Sequence, residues 1–358
     1  DSKDIRFDKS NSSKHILYPI KIIFMRELSP KVRPHPQANI KRKELKTEIM
    51  IKKNITILIL SAFLVLFKPA ISEAVVSEKY SGIIWNYLEK LCGFGPRNPG
   101  SEGYLKTLEL IRQVGKKYAD DVVEQPFLVQ ISDGKKIPMV NLELQFEGTE
   151  GGAPIVIGSH FDTRPFADQE THPEKQIKPI LGANDGGSST AVLLAMAHYL
   201  FQHPAPRPIH LVFFDGEDYG ARGSGLNLLG STYYAQSLLQ EDRESWPYWV
   251  LVVDMIGDKD LQIFKETYSL KGSGRFLDKI YSVAKKQKNS SFKSQSKYTI
   301  FDDHYPFYKM GIPATVLIDF DYPYWHTQED TLDKCSPASM FSVFSVVTET
   351  IQSFQAGN

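Results

Sequence analysis

The stretch Ile209-His210-Leu211-Val212-Phe213-Phe214-Asp215-Gly216-Glu217-Asp218 joins an apolar run to a group of carboxylates. The length and composition of the run are typical of a buried β-strand. Acidic side chains that directly follow such a strand are costly to bury unless they are paired or bound to a metal. Two neighbouring carboxylates can divide the chemistry, one binding a metal and the other moving protons. Solvated loop acids are the alternative interpretation of the same pattern.

Two predicted helices and three short β-rich runs come first, and from residue 188 onward helices and strands alternate. Such alternation indicates a largely parallel, buried sheet with helices on both faces. In sheets of this kind, binding sites form beyond the carboxyl ends of the strands. The periodicity predicts helices at 81–91, 101–118, 188–201, 231–239, 275–286 and 338–354, and strands at 127–131, 139–146, 154–158, 209–214, 249–253 and 314–318.

Two further predicted strands also lead into chemically useful side chains. The strand 154–158 is followed by His160 and Asp162, which alternation in an extended segment places on the same side. A histidine oriented by a carboxylate is a common metal ligand, although a surface histidine beside a solvated aspartate gives the same pattern. The strand 249–253 ends in Asp254, which is either a site residue or a helix cap.

Asp185 lies in the glycine-rich stretch Gly182-Ala183-Asn184-Asp185-Gly186-Gly187-Ser188-Ser189, directly before a predicted helix. The glycines allow the backbone to approach a site closely. An aspartate before Gly and Ser at the start of a helix is equally typical of a plain N-cap. The stretch alone therefore leaves Asp185 open between a metal ligand and a cap.

The strand predicted at 314–318 is flanked by two groups of polar and aromatic residues. Asp302 and His304 precede it, and Trp325 and His326 follow it. A single histidine beside aromatic side chains on a loop indicates a pocket rather than a core. His304 is open between a ligand, a packed side chain and a cap. Taken together, carboxylate and imidazole ligands without cysteine predict zinc or another divalent transition metal.

Charge and cysteine content exclude several classes of protein. The 358 residues carry 42 Lys and Arg against 42 Asp and Glu, so the formal net charge is zero. A nucleic-acid binder would normally show a basic excess. The two cysteines, Cys92 and Cys335, cannot form a disulfide framework or a zinc knuckle. A serine nucleophile is not supported either, because the chain lacks a G-x-S-x-G motif.

The stretch from Met50 has the three-part layout of a secretory signal peptide. Met50-Ile51-Lys52-Lys53 is basic, the run 55–67 is almost wholly apolar, and Ser72-Glu73-Ala74 offers small residues for cleavage. The apolar run of about 13 residues is shorter than the ~20 that a membrane anchor needs, which makes an anchor the weaker alternative. We therefore expect export to the periplasm or out of the cell.

Three segments follow from that interpretation. Residues 1–49 are expected to be an upstream extension without ordered structure, because they are rich in Lys, Arg, Ser and Pro and lack periodicity. Residues 50–74 would be the signal peptide. Residues 75–358 would form a single catalytic domain, a length that suits one large domain.

Five motifs in one order resemble those of the co-catalytic zinc aminopeptidase superfamily. They are His-Phe-Asp, Gly-Ala-Asn-Asp-Gly, Asp-Gly-Glu-Asp, Val-Asp-Met-Ile-Gly and Trp-His-Thr, and the resemblance extends from Phe94 to Thr331. It implies a three-layer α/β/α fold with a mixed, mostly parallel central sheet. Within the superfamily, the chain is most similar to glutaminyl-peptide cyclotransferases of bacterial type. That similarity is carried by Asp302-Asp303-His304-Tyr305-Pro306-Phe307, by Trp325 before His326, and by His160-Phe161-Asp162-Thr163-Arg164-Pro165 with Ala167-Asp168.

The resemblance implies a reaction and a role for each site residue. The reaction would be cyclisation of an N-terminal glutamine to pyroglutamate with release of ammonia, on peptides or proteins. The implied roles are zinc binding for Asp185, Asp218 and His326, general acid and base catalysis for Glu217, a supporting acidic network for Asp254 and Asp302, and a substrate pocket lined by Trp325.

A dizinc aminopeptidase that removes N-terminal residues is the alternative within the same superfamily. In that case His160 and Asp254 would hold a second zinc, with Asp185 bridging the two ions. One zinc is expected for the cyclase and two for the aminopeptidase. We expect a monomer with neither a nucleic-acid partner nor a stable membrane anchor.

Overall fold

The computed structural model describes residues 21–24, 73–221 and 223–355. The chain divides into two units, of which the first contains the described residues 21–24, 80–221 and 223–355. The fold and the site described below belong to the first unit. A short strand at Lys21–Phe24 lies within the stretch that was expected to lack ordered structure. The rest of that stretch, and the predicted signal peptide up to residue 72, lie outside the described residues.

The strands of the first unit form one large sheet and one small sheet. The large sheet has seven strands in the order β1-β2-β3-β5-β4-β6-β9, and the small one pairs β7 with β8. The strands are β1 (Lys21–Phe24), β2 (Asp121–Gln130), β3 (Lys136–Phe146), β4 (Ile155–His160), β5 (Ile209–Phe214), β6 (Trp249–Asp254), β7 (Ile263–Glu266), β8 (Phe292–Tyr298) and β9 (Ala314–Ile318).

Four adjacent strands of the large sheet, β5, β4, β6 and β9, run parallel. The remaining pairs, β1 with β2, β2 with β3 and β3 with β5, are antiparallel. The mixed sheet with a parallel centre confirms the fold class that the sequence predicts. The parallel strands end at one edge of the sheet, which is where a site is expected.

Helices cover the sheet on both faces. They are α1 (Glu73–Gly93), α2 (Glu102–Tyr118), α3 (Pro173–Gln176), α4 (Ser189–Gln202), α5 (Leu229–Ser237), α6 (Thr267–Lys286), α7 (Tyr305–Lys309) and α8 (Pro337–Gln352). Among the described residues, none of these helices is both long enough and apolar enough to cross a membrane.

The central strands divide their side chains between two apolar cores. In β6, Trp249 and Leu251 belong to the larger core, whereas Val250 and Val252 belong to the smaller one. Side chains alternate between the two faces of a strand, so this division shows that both faces of the sheet are buried. Helices α1, α2, α4, α6 and α8 contribute to the larger core, and α5 and α7 to the smaller. The result is the predicted three-layer arrangement.

Helix α6 and strands β7 and β8 are among the elements that differ from the prediction. Helix α6 begins at Thr267 rather than at 275, because Glu266 caps it by accepting the backbone N–H groups of Tyr268 and Ser269. Gly272 and Gly274, weak helix formers, obscured that first part in the sequence. Strands β7 and β8 were not predicted, since the polar composition of β8 lacks an apolar alternation.

Candidate metal centre

The candidate site residues converge at the carboxyl edge of the parallel strands. His160 is the last residue of β4, and Asp254 is the last residue of β6. Glu217 and Asp218 follow β5, and His326 lies on the loop after β9. Parallel strands end at the same edge, so residues more than 160 positions apart in sequence reach one place.

Asp185, Asp218 and His326 form the first of two potential metal-binding groups. Nε2 of His326 lies 3.1 Å from Oδ1 of Asp218 and 3.5 Å from Oδ2 of Asp185. All three residues are buried, with no more than 5% of their surface exposed. These are the residues that the resemblance assigns to zinc, and the structure brings them together.

His160, Asp185 and Asp254 form the second group. Nε2 of His160 lies 3.2 Å from Oδ1 of Asp185 and 3.1 Å from Oδ1 of Asp254. Asp185 is shared between the two groups and offers one oxygen to each histidine. The two groups could therefore hold one metal or two, with Asp185 available to both.

Unpaired polar atoms and perturbed pKa values indicate that this place suits a cation. The buried Oδ2 atoms of Asp185 and Asp218 have no hydrogen-bond partner among the described residues. Burial tends to lower the pKa of His326, but Asp218 and Asp168 outweigh burial and raise it to about 9. When buried carboxylates favour a protonated histidine, a divalent metal ion can take the place of that proton. Oxygen and nitrogen donors without cysteine fit zinc.

Asp185 is held by a loop with an unusual backbone. Its φ and ψ are −75° and 107°, and α4 begins at Ser189, so Asp185 is not the N-cap that the sequence also allowed. Gly186 has φ of 72°, and a Cβ atom there would lie 2.8 Å from Cε1 of His160 and 2.7 Å from the carbonyl oxygen of Asp162. Only glycine allows this close approach between the loop and His160.

Asp162 connects β4 to the loop after β5. Its Oδ1 lies 3.5 Å from Nδ1 of His160, as the predicted alternation requires. Its two oxygens also accept the backbone N–H groups of Glu217 and Asp218, each at 3.2 Å. One carboxylate thus orients a candidate ligand and fixes the backbone of the next two functional residues.

Glu217 lies beside the first group as a partly buried side chain. Burial and the neighbouring Asp218 raise its pKa well above the usual value for a glutamate. Asp302 is buried, and burial together with Asp254 raises its pKa well above the usual range. The pKa values of Glu217 and Asp302, the predicted proton carrier and a predicted supporting acid, therefore both depend on neighbouring acids of the site.

His304 and Trp325 have different relationships to the site. Nε2 of His304 lies 3.3 Å from Oε2 of Glu266, at the start of α6 and outside both metal-binding groups. His304 is therefore a packed side chain, one of the alternatives that the sequence left open. The ring of Trp325 lies against the imidazole of His326, with 3.9 Å between the ring centroids.

Four residues that support the site were given no role from the sequence: Arg97, Arg164, Asp168 and Asp330. Arg97 has a fully buried guanidinium that donates to the carbonyl oxygens of Phe161 and Gly182. It thus ties the end of β4 to the loop that carries Asp185. An arginine among turn-forming residues, in Gly95-Pro96-Arg97, was the one available signal.

Comparison with known proteins identifies a family. Residues 141–351 match Peptidase family M28. The crystal structure of a glutaminyl cyclase from Fimbriiglobus ruber is 30% identical, with a TM-score of 0.72 over 76% of this chain and 94% of that one. A Zn-dependent exopeptidase from Parabacteroides distasonis is 26% identical, with a TM-score of 0.70 over 76% of this chain and 98% of that one.

The curated relatives match a smaller share of this chain. A glutaminyl-peptide cyclotransferase from Bothrops jararaca is 25% identical over 229 residues, which are 54% of this chain and 60% of that protein. The chain spans about half the length of the curated relatives it matches, from 40% to 60%.

Proposed function

Because the chain belongs to peptidase family M28, we propose that it is a zinc-dependent enzyme that cyclises the N-terminal glutamine of peptides to pyroglutamate and releases ammonia. The observation that carries this proposal is a partly buried glutamate next to a metal-binding group. Glu217 directly precedes Asp218, which lies 3.1 Å from Nε2 of His326. The 30% identity to a glutaminyl cyclase structure favours this reaction among those that such a site supports.

We assign one zinc ion to Asp185, Asp218 and His326. Support comes from the mutual distances of their ligand atoms, which all lie within 4.8 Å of one another, and from their burial. Zinc held by these residues would supply a Lewis acid for the side-chain amide carbonyl of the substrate. Trp325, stacked on His326, would line the pocket for the glutamine side chain.

Glu217 is the proton carrier of the proposed reaction. The α-amine of the substrate attacks its own side-chain carbonyl carbon, so the step is intramolecular and gains from a held geometry. Glu217 accepts a proton from that amine and donates it to the nitrogen that leaves as ammonia. The C–N bond of the new ring forms as the amide C–N bond breaks, and water is not consumed.

Asp254 and Asp302 would support this transfer as an acidic pair. Burial and the charge of Asp254 raise the pKa of Asp302, which favours the protonated form of Asp302. A pair with a single negative charge is less costly to bury than two ionised acids. We infer that the pair orients the substrate amine near Glu217.

A dizinc aminopeptidase is the second candidate, and one observation favours it. His160 and Asp254 complete a second metal-binding group around the shared Asp185. Two metals could activate a water molecule, with Glu217 as its base, for removal of the N-terminal residue.

The test is the mass of the product. Purified, zinc-loaded protein is incubated with a peptide that begins with glutamine, and the products are weighed. Loss of ammonia alone supports the cyclase, whereas release of free glutamine would overturn it in favour of the aminopeptidase. Glu217→Gln is the control, since it should retain zinc and produce neither product.

We also propose that the protein is exported and monomeric, with peptides and proteins as substrates. The support for export is the leader-like order of Met50-Ile51-Lys52-Lys53, the apolar run 55–67 and Ser72-Glu73-Ala74. Sequencing the N-terminus of the protein secreted by its host tests this proposal. A start near Val75 is expected, and light scattering of the purified protein measures its oligomeric state.

A further inference from the structure

A buried arginine joins a carboxylate of the first metal-binding group to one outside it. Nη1 of Arg164 donates to Oδ1 of Asp218 at 2.8 Å. Its Nε and Nη2 donate to the two oxygens of Asp168 at 3.0 and 2.9 Å. This bidentate fork fixes the orientation of Asp168 as well as its position. One guanidinium therefore holds Asp168 and Asp218 in a defined relation.

Asp168 in turn contacts His326, a residue of the first metal-binding group. Its Oδ1 lies 3.2 Å from Nδ1 of His326, on the side of the imidazole away from the metal-binding group. Nε2 of the same ring faces Asp218 and Asp185. The buried Nδ1 has no aligned hydrogen-bond partner among the described residues, so the nearby carboxylate of Asp168 is the group that can favour a proton on Nδ1 and a free lone pair on Nε2 for a metal.

The backbone around Asp168 also supports the loop of His326. The N–H of Gln169 donates to the carbonyl oxygen of His326 at 3.2 Å, and the N–H of Gln328 donates to Oε1 of Glu170 at 2.9 Å. His326 has φ of 56°, a left-handed conformation that side-chain-bearing residues rarely adopt. Such a conformation persists where surrounding contacts determine it.

We propose that Asp168 and Arg164 are positioning residues of the metal site. Arg164 orients Asp168, Asp168 fixes the tautomer and direction of His326, and Arg164 at the same time holds Asp218. Neither residue needs to touch the metal. The proposal rests on the zinc site of the proposed function, but not on the reaction carried out there.

The experiment compares zinc affinity with the stability of the metal-free protein. The dissociation constant of zinc is measured by competition with a chromophoric chelator for the parent and for Asp168→Ala, Asp168→Asn and Arg164→Met. Asp278→Ala is the matched control, because it also removes a carboxylate from an ion pair, 2.9 Å from Lys265, on a different part of the fold. The melting temperature of each metal-free protein is recorded in parallel.

We expect Asp168→Ala to weaken zinc binding about 10- to 100-fold, the effect that loss of such an orienting partner usually has. Asp168→Asn should weaken it less, because its carboxamide oxygen can still accept the Nδ1–H group. Arg164→Met should weaken it as Asp168→Ala does, and Asp278→Ala should leave it unchanged. The metal-free melting temperatures of the two Asp168 variants should stay close to that of the parent.

Two results from the variants would overturn the proposal. One is a zinc affinity of Asp168→Ala equal to that of the parent. The other is a loss of zinc affinity matched by an equal loss of metal-free stability, which a merely structural role would produce. A parent that binds no zinc would overturn the metal assignment as well, whereas a zinc-binding protein with neither product would overturn the proposed reaction alone.

Discussion

Asp330 holds the backbone of Asp185, the residue shared by the two metal-binding groups. Oδ2 of Asp330 accepts the N–H of Asp185 at 3.1 Å, and Oδ1 accepts the N–H of Asn184 at 2.8 Å. The hydroxyl of Tyr322 donates to the same Oδ1 at 2.7 Å. Asp330 follows His326 by four residues, so a single carboxylate fixes the distance between the two loops that carry candidate ligands.

Replacing Asp330 with alanine should therefore destabilise the fold and weaken zinc binding. Three buried donors would lose their acceptor, and each unsatisfied group costs about 1–3 kcal/mol, part of which relaxation recovers. We expect a loss of about 3 kcal/mol in the free energy of unfolding, measured by urea denaturation of the metal-free protein. Tyr322→Phe removes one of the three donors and should cost about 1 kcal/mol. Equal stability of Asp330→Ala and the parent would contradict this role.

Arg97 should be as important to stability as Asp330. Its guanidinium donates to the carbonyl oxygens of Phe161, Leu181 and Gly182 at 2.9, 2.9 and 2.7 Å. Arg97→Met leaves these carbonyls without that donor, and we expect a loss of about 3 kcal/mol, measured by urea denaturation. Arg97→Lys keeps the charge but not the planar fork, so it should recover only part of this loss. Arg112→Met, which breaks an exposed pair with Glu124, is the control and should cost less than about 1 kcal/mol.

Glu217→Gln should abolish turnover without changing zinc content. General acid and base catalysis contributes about 10²- to 10⁴-fold, so we expect kcat to fall by at least about 10²-fold. The amide cannot accept the proton of the substrate amine, although it has nearly the size of the carboxylate. Steady-state kinetics with a glutamine-initiated peptide, together with elemental analysis of bound zinc, measures both quantities. Near-parental kcat would exclude Glu217 as the proton carrier.

Metal stoichiometry separates the two candidate functions. The cyclase predicts one zinc per chain, retained in His160→Ala and lost in His326→Ala. The aminopeptidase predicts two, with one lost in His160→Ala. Elemental analysis of the purified proteins after dialysis against zinc-free buffer gives the counts. Removal of zinc by a chelator should abolish activity in either case, and added zinc should restore it.

Periodicity located the central elements of the fold closely. The strands predicted at 209–214 and 314–318 are β5 and β9, with the same bounds. Short apolar runs between polar residues are stable in a three-layer fold as buried strands of the central sheet, which is why their bounds could be predicted. Strand β8, with the sequence FKSQSKY, could not be predicted, since it is stabilised by pairing with β7 and not by an apolar face of its own.

The sequence by itself determined which acids and histidines lie at the ends of the buried strands. The length of an apolar run and the alternation of side chains along it depend only on residues that are neighbours in the sequence. Only the tertiary structure decided how those residues meet and what supports them. Arg97 forms a hydrogen bond with Gly182, which is 85 positions away in the sequence, and Asp330 forms one with Asn184, which is 146 positions away. A hydrogen bond between such distant residues leaves no local pattern, because the packing of the whole sheet brings the two partners within 3 Å of each other.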